Sequence, residues 1–505
     1  MEIVRNFPFF SIMICMFSAI ASSVLSSKAA RYVTRIALLI VAVLSGILLV
    51  FTHNSGESFV YLMGHFPAPW GNEIRAGELE ALMALFISVI ALFSVMAGMQ
   101  AVLKDINEDK QNLYFILVDL MTASIISMIY TNDLFTGYVF IEINTIAGCG
   151  LIMIRQIGKS VVTAMRYMVI SLVGSGLFLI GLTMLYTISG HLLMPNIRET
   201  VRVLANDDKY SVTLTVIVGL ITVGLAIKSG LFPFHLWIPD AYGYSNVASS
   251  SLLSSIVSKG YILLLIKIFY RVIGFDIIVQ SGVDKILFTF GVIAMISGSV
   301  IAIREDNIRR MIAYSSVAQI GYIYMGLGLG TKAGTIAALF HIISHGATKS
   351  LLFLSSAEFT EGSHSKKLSQ LYGMGRKYRG SALCYSIGAF SMVGFPLLSG
   401  FISKLQFATA AVGFRGRMFI ALFALAVSTI LNTIYFLRSV IILYSADITS
   451  QPDTKGDTYL HGGSRMSARL QYFGSIGVLA ALNFLLGIKA QTIIDIISAG
   501  LDVFD

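Results

Sequence analysis

Lys228, Lys259, Lys349 and Lys404 each sit inside a long apolar run, and Glu142 sits inside another. A lysine at the centre of a membrane helix costs about 2.5–3.5 kcal/mol even on the lenient insertion scale. A chain carrying several needs partners, water or a function to offset that cost. The chemistry on offer is acid–base. Burial favours a neutral amine and a nearby carboxylate favours an ammonium, so a change in their separation moves a proton. Glu142 lies roughly nine residues, or ~13 Å, into its run after Asp133. Lys228 stands just before Ser229-Gly230-Leu231-Phe232-Pro233. The two read as a proton switch; the plainer alternative is a static ion pair between two helices.

His341, His345 and Lys349 recur every four residues, which puts all three on one helix face. Imidazoles titrate near neutral pH and accept and donate at different nitrogens, so this face suits a proton relay. A metal is the weaker reading, because no acidic third ligand sits beside the histidines and Lys349 would repel a cation. Histidines simply hydrogen-bonded to neighbouring helices are the bland alternative. Lys259 is centred in its run, too deep to snorkel, whereas Lys267 reads as an interfacial anchor. Lys404 follows Gly394-Phe395-Pro396-Leu397-Leu398-Ser399-Gly400, and a hydrogen bond to carbonyls freed there is its structural alternative. His235 is expected where the chain leaves the membrane, and Arg166 and Arg438 as snorkelling anchors.

The elements that hold these residues must be membrane helices. The chain has 505 residues, 56% hydrophobic and only 12% charged, against about 25% charge in globular proteins. Apolar runs of about 20 residues, enough to cross a ~30 Å hydrocarbon core, recur from end to end. Backbone groups in lipid must be satisfied within the segment, so the runs read as helices, about fourteen of them. They fall near 7–25, 31–51, 80–100, 112–131, 133–154, 164–187, 211–236, 247–270, 283–302, 308–329, 333–357, 382–410, 418–445 and 471–490. Phe7–Leu25 reads as a first membrane helix rather than a signal peptide, because its apolar stretch is long and only Arg5 precedes it.

The net charge of +9 is distributed by side, not gathered for nucleic acid. Sorted by loop parity, nineteen Lys/Arg lie on one side, eleven on the other and six within spans. The positive-inside rule then puts the basic loops in the cytoplasm and both termini outside the cell membrane. Cys15, Cys149 and Cys384 are scattered without a C-x-x-C spacing, so neither a zinc site nor an iron–sulfur cluster is expected. No nucleotide-binding glycine motif is present, and no cofactor is expected.

Two groups of five spans, 112–271 and 283–445, echo each other, preceded by three leading spans in 1–111 and followed by a polar loop and final span in 446–505. The fourth member of each group is interrupted by glycine and proline. Such breaks are tolerated at membrane depth only against protein or a water-lined cavity, and paired breaks point to a transporter's repeats.

Ala226-Ile-Lys-Ser-Gly-Leu-Phe-Pro-Phe-His-Leu-Trp-Ile-Pro-Asp-Ala241 resembles the signature of the proton-conducting antiporter-like membrane subunits of respiratory complex I, Mrp-type Na+/H+ antiporters and membrane-bound hydrogenases. Asp306-Asn-Ile-Arg-Arg-Met-Ile-Ala-Tyr-Ser-Ser316, the His341/His345/Lys349 helix and Gly394–Lys404 match further blocks of that family. The resemblance implies fourteen helices with two inverted five-helix repeats, each giving a half-channel through a broken helix. It also implies that Glu142 and Lys228 are the coupling pair, Lys259 the central lysine, His341, His345 and Lys349 the relay, and Lys404 the outlet-side charge. Arg166, His235, Asp306 and Arg438 are accessory positions. Two departures stand out: Arg166 replaces a usual lysine and holds its proton too tightly to relay it, and Leu397 replaces a usual second proline.

Tyr61–Gly71 looks most like the external loop of the D-type Mrp subunits and related hydrogenase subunits, so an Mrp-type or hydrogenase-type assembly is favoured over a respiratory quinone-reducing complex. The implied partners are other membrane subunits and lipid, with protons carried and sodium left open. A stand-alone solute transporter would show substrate-sized polar residues at the breaks, whereas these carry lysine, serine, glycine and aromatics. A redox subunit would need cluster ligands or a cofactor pocket. With no energy source in its own sequence, the chain is expected to work within an assembly, not as an enzyme. The loops Ser365–Arg379 and Ala446–Leu470 are expected cytoplasmic contact surfaces.

Overall fold

A computed structural model of the chain describes residues 2–67, 71–413, 416–446 and 465–504. Most of the expected contact loop Ala446–Leu470 lies outside the described residues, as do Ala68, Pro69 and Trp70 of the external-loop motif. Helix makes up 85% of the described residues, an all-α integral membrane fold. The described strands, Phe59–Leu62 and Glu73–Ala76, form one antiparallel hairpin in the loop between the second and third spans, which the sequence reading passed over.

Among the described residues, twelve helical stretches are long and apolar enough to cross a membrane. The expected fourteen include two that this count omits. Ile308–Leu327 is long enough, but Arg309, Arg310 and Gln319 make it polar, and its neighbours bury it. The span expected near 382–410 is two halves, Arg379–Val393 and Ser399–Val412, each shorter than a ~30 Å core requires. Two further helices lie outside the expected spans: Met194–Leu204 in a stretch read as a connection, and Ala490–Asp502 after the last span.

Local chemistry sets the helix starts. Asp133 accepts from Thr136 N at 2.6 Å, opening the Glu142 helix Leu134–Met153. Asn307 accepts from Arg309 N and Arg310 N, and Thr331 from Gly334 N, opening Ile308–Leu327 and Lys332–Gly362. Small residues let helices touch: a Cβ on Gly224 would lie 2.7 Å from Gly174 O, and one on Gly321 2.6 Å from Gly291 O.

Lys332–Gly362 and the central stretch Val247–Ile273 are almost wholly enclosed, whereas Phe7–Val24, Ser27–Ser55, Gly158–Ser189 and Met418–Tyr444 leave broad apolar faces outward. The central stretch is not uniform. It carries π-helical turns at Leu253–Val257 and Phe269–Ile273, which leave backbone groups in need of other partners.

Connections gather at two ends of the bundle. At one, Arg75 Nη2 donates to Val503 O (2.7 Å), Asn132 N to Glu73 O (3.0 Å), and Lys332 pairs with Asp502. At the other, Lys366 Nζ donates to Gly243 O (3.0 Å), Arg310 pairs with Asp240 (2.8 Å), and Asp306 accepts from Ser369 N (3.2 Å) and Oγ (3.1 Å).

Candidate functional site

The seventh span stops at Ser229, where Gly230 takes φ +81°. Gly230 N reaches Ala226 O and Ile227 O, and Leu231 N reaches Ala226 O. The second break repeats this closure: Gly394 has φ +95°, Gly394 N reaches Phe390 O and Ser391 O, and Phe395 N reaches Phe390 O. Both are Schellman closures, which satisfy the last carbonyls internally and need glycine for the left-handed turn. A helix can therefore end inside the membrane with fewer orphaned carbonyls at its C-terminal end.

After the first break the chain stays packed within the protein, whereas His235 was expected at an exit from the membrane. It makes a tight turn at Phe234–Leu236 and a short helix, Trp237–Tyr244. His235 is buried and stacked on Phe232 at 5.4 Å. The reason is apolar: Trp237, Ile238 and Tyr242 are all buried here, so packing holds the segment in.

The closure leaves Lys228 on the last turn, fully buried. Its Nζ lies 3.4 Å from Glu142 Oε1 but only 2.7 Å from Thr145 Oγ1, and 5.7 Å above the Tyr261 ring. Glu142 also accepts from Ser175 Oγ, and its side chain keeps 25% exposure. The pair is thus asymmetric, a fully buried amine beside a partly accessible carboxylate, with the hydroxyl the nearer partner. Thr145, three residues after Glu142, was legible in principle from helical spacing. Ser175 and Tyr261 were not, because they come from other helices.

Tyr261 stands two residues after Lys259 on the central stretch, and its hydroxyl lies 3.3 Å from Thr145 Oγ1. Lys259 Nζ donates to Ser254 O in the π-helical turn, a carbonyl five residues back. Ser254 Oγ lies 3.0 Å from Ser316 Oγ, Ser316 Oγ donates to Ile312 O (3.2 Å), and Lys349 Nζ donates to that carbonyl at 2.8 Å and also touches Ser315 Oγ. Two buried amines are therefore bridged by serines on two helices, the central stretch and Ile308–Leu327, and by the Ile312 carbonyl.

His341 and His345 share a helix face, as their spacing predicts, and stack with ring centroids 5.7 Å apart. His341 Nδ1 meets Ser403 Oγ at 2.7 Å, while its Nε2 and both ring nitrogens of His345 are buried without a protein partner. They border a small cavity with Gln319, Ser344 and Lys404, and buried polar atoms of this kind are where internal water sits. Lys404 is half-buried, and its Nζ donates to Val393 O at 2.7 Å, a hydrogen bond to a carbonyl freed at the break.

Of the accessory positions, Arg166 is largely exposed and pairs with Asp240 at 3.4 Å, and Arg438 is exposed and donates to Ile303 O at 3.0 Å. Both fit interfacial roles. Asp306 ties down the loop at Ser369. Lys267 corrects the sequence reading. It is buried, with Nζ 2.5 Å from Ile129 O and 3.9 Å from Glu80, so it caps the helix Gln111–Tyr130 instead of reaching the interface. Its partners come from two other helices, and nothing local announces them.

Comparison with known proteins agrees with this architecture. Residues 131–431 match the family described as NADH:quinone oxidoreductase/Mrp antiporter, TM. The NADH-quinone oxidoreductase subunit N of Desulforudis audaxviator is 30% identical over 470 residues, covering 91% of this chain and 90% of that protein. The D-type Na(+)/H(+) antiporter subunit of Alkalihalophilus pseudofirmus is 27% identical and covers 72% of each. Among solved structures, the membrane-bound sulfane sulfur reductase, an archaeal respiratory membrane complex, superposes with a TM-score of 0.85 at 24% identity, covering 100% of this chain and 98% of that one. The Mrp complex from Dietzia sp. gives the same TM-score at 22% identity, with the same coverage. The match spans both broken helices and the histidine helix between them, and this chain belongs to the NADH:quinone oxidoreductase/Mrp antiporter family of membrane subunits.

Proposed function

We propose that this antiporter-like chain carries protons within a multi-subunit ion-pumping complex of Mrp or membrane-bound hydrogenase type, along Glu142, Lys228, Lys259, His341, His345, Lys349 and Lys404. One observation carries the reading: Lys228, Lys259, His341, His345 and Lys349 are buried in the interior, with Lys228 held by Thr145 and Lys259 linked to Lys349 through Ser254, Ser316 and Ile312 O. Charges buried dry and unpartnered would cost far more than a linked, solvated series. In this reading Glu142 sets the proton affinity of Lys228 through their separation, Thr145 holds the amine when the pair opens, and the serines at Lys259 and Lys349 support transfer between the halves. The chain itself supplies no redox or hydrolytic step, so energy comes from a partner subunit or a second ion gradient.

The organisation proposed with it is three leading spans in 1–111, inverted five-helix repeats in 112–271 and 283–445, and a closing segment in 446–505. The matching Schellman closures in the fourth span of each repeat support it, and the gathering of alternate connections at opposite ends of the bundle fits fourteen crossings. Cell-membrane residence with both termini outside follows from the charge bias. Single-cysteine accessibility in intact cells tests it, and labelling of the Lys366 loop from outside would overturn it.

Lys228→Ala and Glu142→Ala test the path. In vesicles holding the assembled complex, each is expected to lose coupled ion translocation while the chain still inserts; wild-type pumping by either would sink the assignment. A second reading, an antiporter-like subunit of a respiratory NADH:quinone oxidoreductase, is favoured by the subunit N match over 91% of the chain. Co-purification separates the two, through the electron-input or antiporter subunits that accompany the chain.

A further inference from the structure

The helix Ile308–Leu327 carries none of the groups assigned to the proton path, yet it touches the path at successive points. Ile312 O accepts from Lys349, and Ser316 meets Ser254 in the π-helical turn that holds Lys259. The Tyr322 ring stacks on His341 with centroids 5.6 Å apart, and Gln319 borders the cavity shared by His341, His345 and Lys404. All its residues but Arg310 and Tyr314 are buried. It also packs backbone to backbone on Val283–Arg304: a Cβ on Gly291 would lie 2.5 Å from Met325 N, and one on Gly298 2.8 Å from Ala318 N. Contacts this close leave the helix little room to shift.

Glu142 and Lys228 sit on other helices, so the first break has to be registered against this one. Two contacts do so, one on each side of the break. Before it, Ser229 Oγ and the Tyr324 hydroxyl lie 2.7 Å apart, both fully buried. After it, Arg310 Nη1 donates to Asp240 Oδ1 at 2.8 Å and to the Tyr244 hydroxyl at 3.2 Å, both on Trp237–Tyr244.

The two ties differ in kind. Arg310 and Asp240 are partly exposed and shared, Arg310 with Glu305 and Asp240 with Arg166, and such pairs hold loosely. The tie at Ser229 is enclosed and directional. A hydroxyl has one proton to donate. Ser229 Oγ donates its proton to Ala226 O at 3.1 Å, which makes Tyr324 the donor to Ser229. Ala226 O is also the carbonyl on which Gly230 N and Leu231 N close. The contact from Tyr324 therefore ends on the closure itself, one residue from Lys228. Hydrogen bonds weaken steeply beyond about 3.2 Å. With Thr145 at 2.7 Å and Glu142 at 3.4 Å from Lys228 Nζ, a small displacement of the closure changes which partner Lys228 holds.

We infer that Tyr324 is a positioning residue for proton transfer at Lys228: its hydroxyl registers the first break against the helix that holds Lys349 and His341. It acts through Ser229. The inference rests on the proposed proton path.

Tyr324→Phe tests it, because the ring stays and Ser229 keeps its bond to Ala226 O. In vesicles carrying the assembled complex, proton flux is expected to fall severalfold and its pH profile to shift, since Lys228 would sit differently among Glu142, Thr145 and Tyr261, the groups that face it. Wild-type flux overturns the inference. So does a loss by the same factor at every pH, because a structural defect changes the number of working complexes and not their titration. Ser229→Ala breaks the same bond from the other side and should shift the profile likewise. Combined with Tyr324→Phe it should cost no more than the larger single loss, and losses that multiply overturn the shared bond. Lys228→Ala, measured alongside, keeps the two readings apart. Wild-type pumping by Lys228→Ala removes the proton path and this inference with it, whereas a silent Lys228→Ala beside an unaltered Tyr324→Phe removes the positioning role alone.

Discussion

The two broken helices share a backbone and differ in what fills it. Each ends in the same glycine closure, yet the first brings a lysine against a carboxylate and the second surrounds its gap with hydroxyls and imidazoles. Near the second, Ser344 Oγ lies 2.9 Å from Ser399 Oγ, Thr348 Oγ1 donates to Asn483 Oδ1 at 2.6 Å, and no carboxylate joins them. The closure solves a problem common to both halves, ending a helix in lipid. The side chains then decide whether the gap holds a lysine–carboxylate pair or a lysine with hydroxyls and imidazoles around it. Stripped of Glu142, the first break would resemble the second.

The largest expected effect follows from that contrast. Glu142→Gln keeps the shape and a partner for Ser175 but removes the charge, and it should slow translocation roughly 10²-fold, the range for loss of a proton-transferring group. Proton flux in vesicles checks this, and near-normal flux would mean that the two breaks work alike.

Next comes the backbone. Gly230→Ala would force a side chain into left-handed φ and put Cβ 2.2 Å from Ile238 Cδ1, whereas the nearest atom at Gly394 is Lys404 Cδ at 3.1 Å. Each substitution should cost about 1–2 kcal/mol from conformation alone, with Gly230→Ala the worse because Ile238 is buried. Thermal unfolding of the purified complex ranks them, and the reverse order would show that the first break is the looser one.

Ser403→Ala removes the partner of His341 Nδ1 and should cost about 1–3 kcal/mol, the penalty for a buried group left unsatisfied. Flux should fall by less than in Glu142→Gln, because the network there has other hydroxyls. The smallest effect is expected at Arg438→Gln: an exposed anchor changes stability by within about 0.5 kcal/mol, and the same unfolding assay would detect more.

Much of this was legible before any coordinates. Lys228, Lys259 and Lys349 announced themselves as charges in apolar runs, and the i, i+4 spacing of His341 and His345 put them on one helix face. Glycine and proline marked both breaks. Lys267 was misread because a lysine near a helix end looks the same whether it snorkels or caps a neighbour's carbonyl. The bond between Ser229 and Tyr324 went unremarked, since 95 positions separate its partners. Ile308–Leu327 reads as a span only by its place in the order, and its polarity is explained by its enclosure.

By itself the sequence determined the membrane class, the approximate spans, the family blocks and the positions of the costly charges. Those follow from composition, run length and local backbone chemistry, each read within about 20 residues. Only the tertiary structure decided partnership: that Thr145 lies closer to Lys228 than Glu142 does, that Ser254 and Ser316 bridge two lysines, and that Lys404 turns back onto Val393 O. A buried charge takes its partner from whichever helix packs beside it, and packing joins residues that the chain keeps far apart.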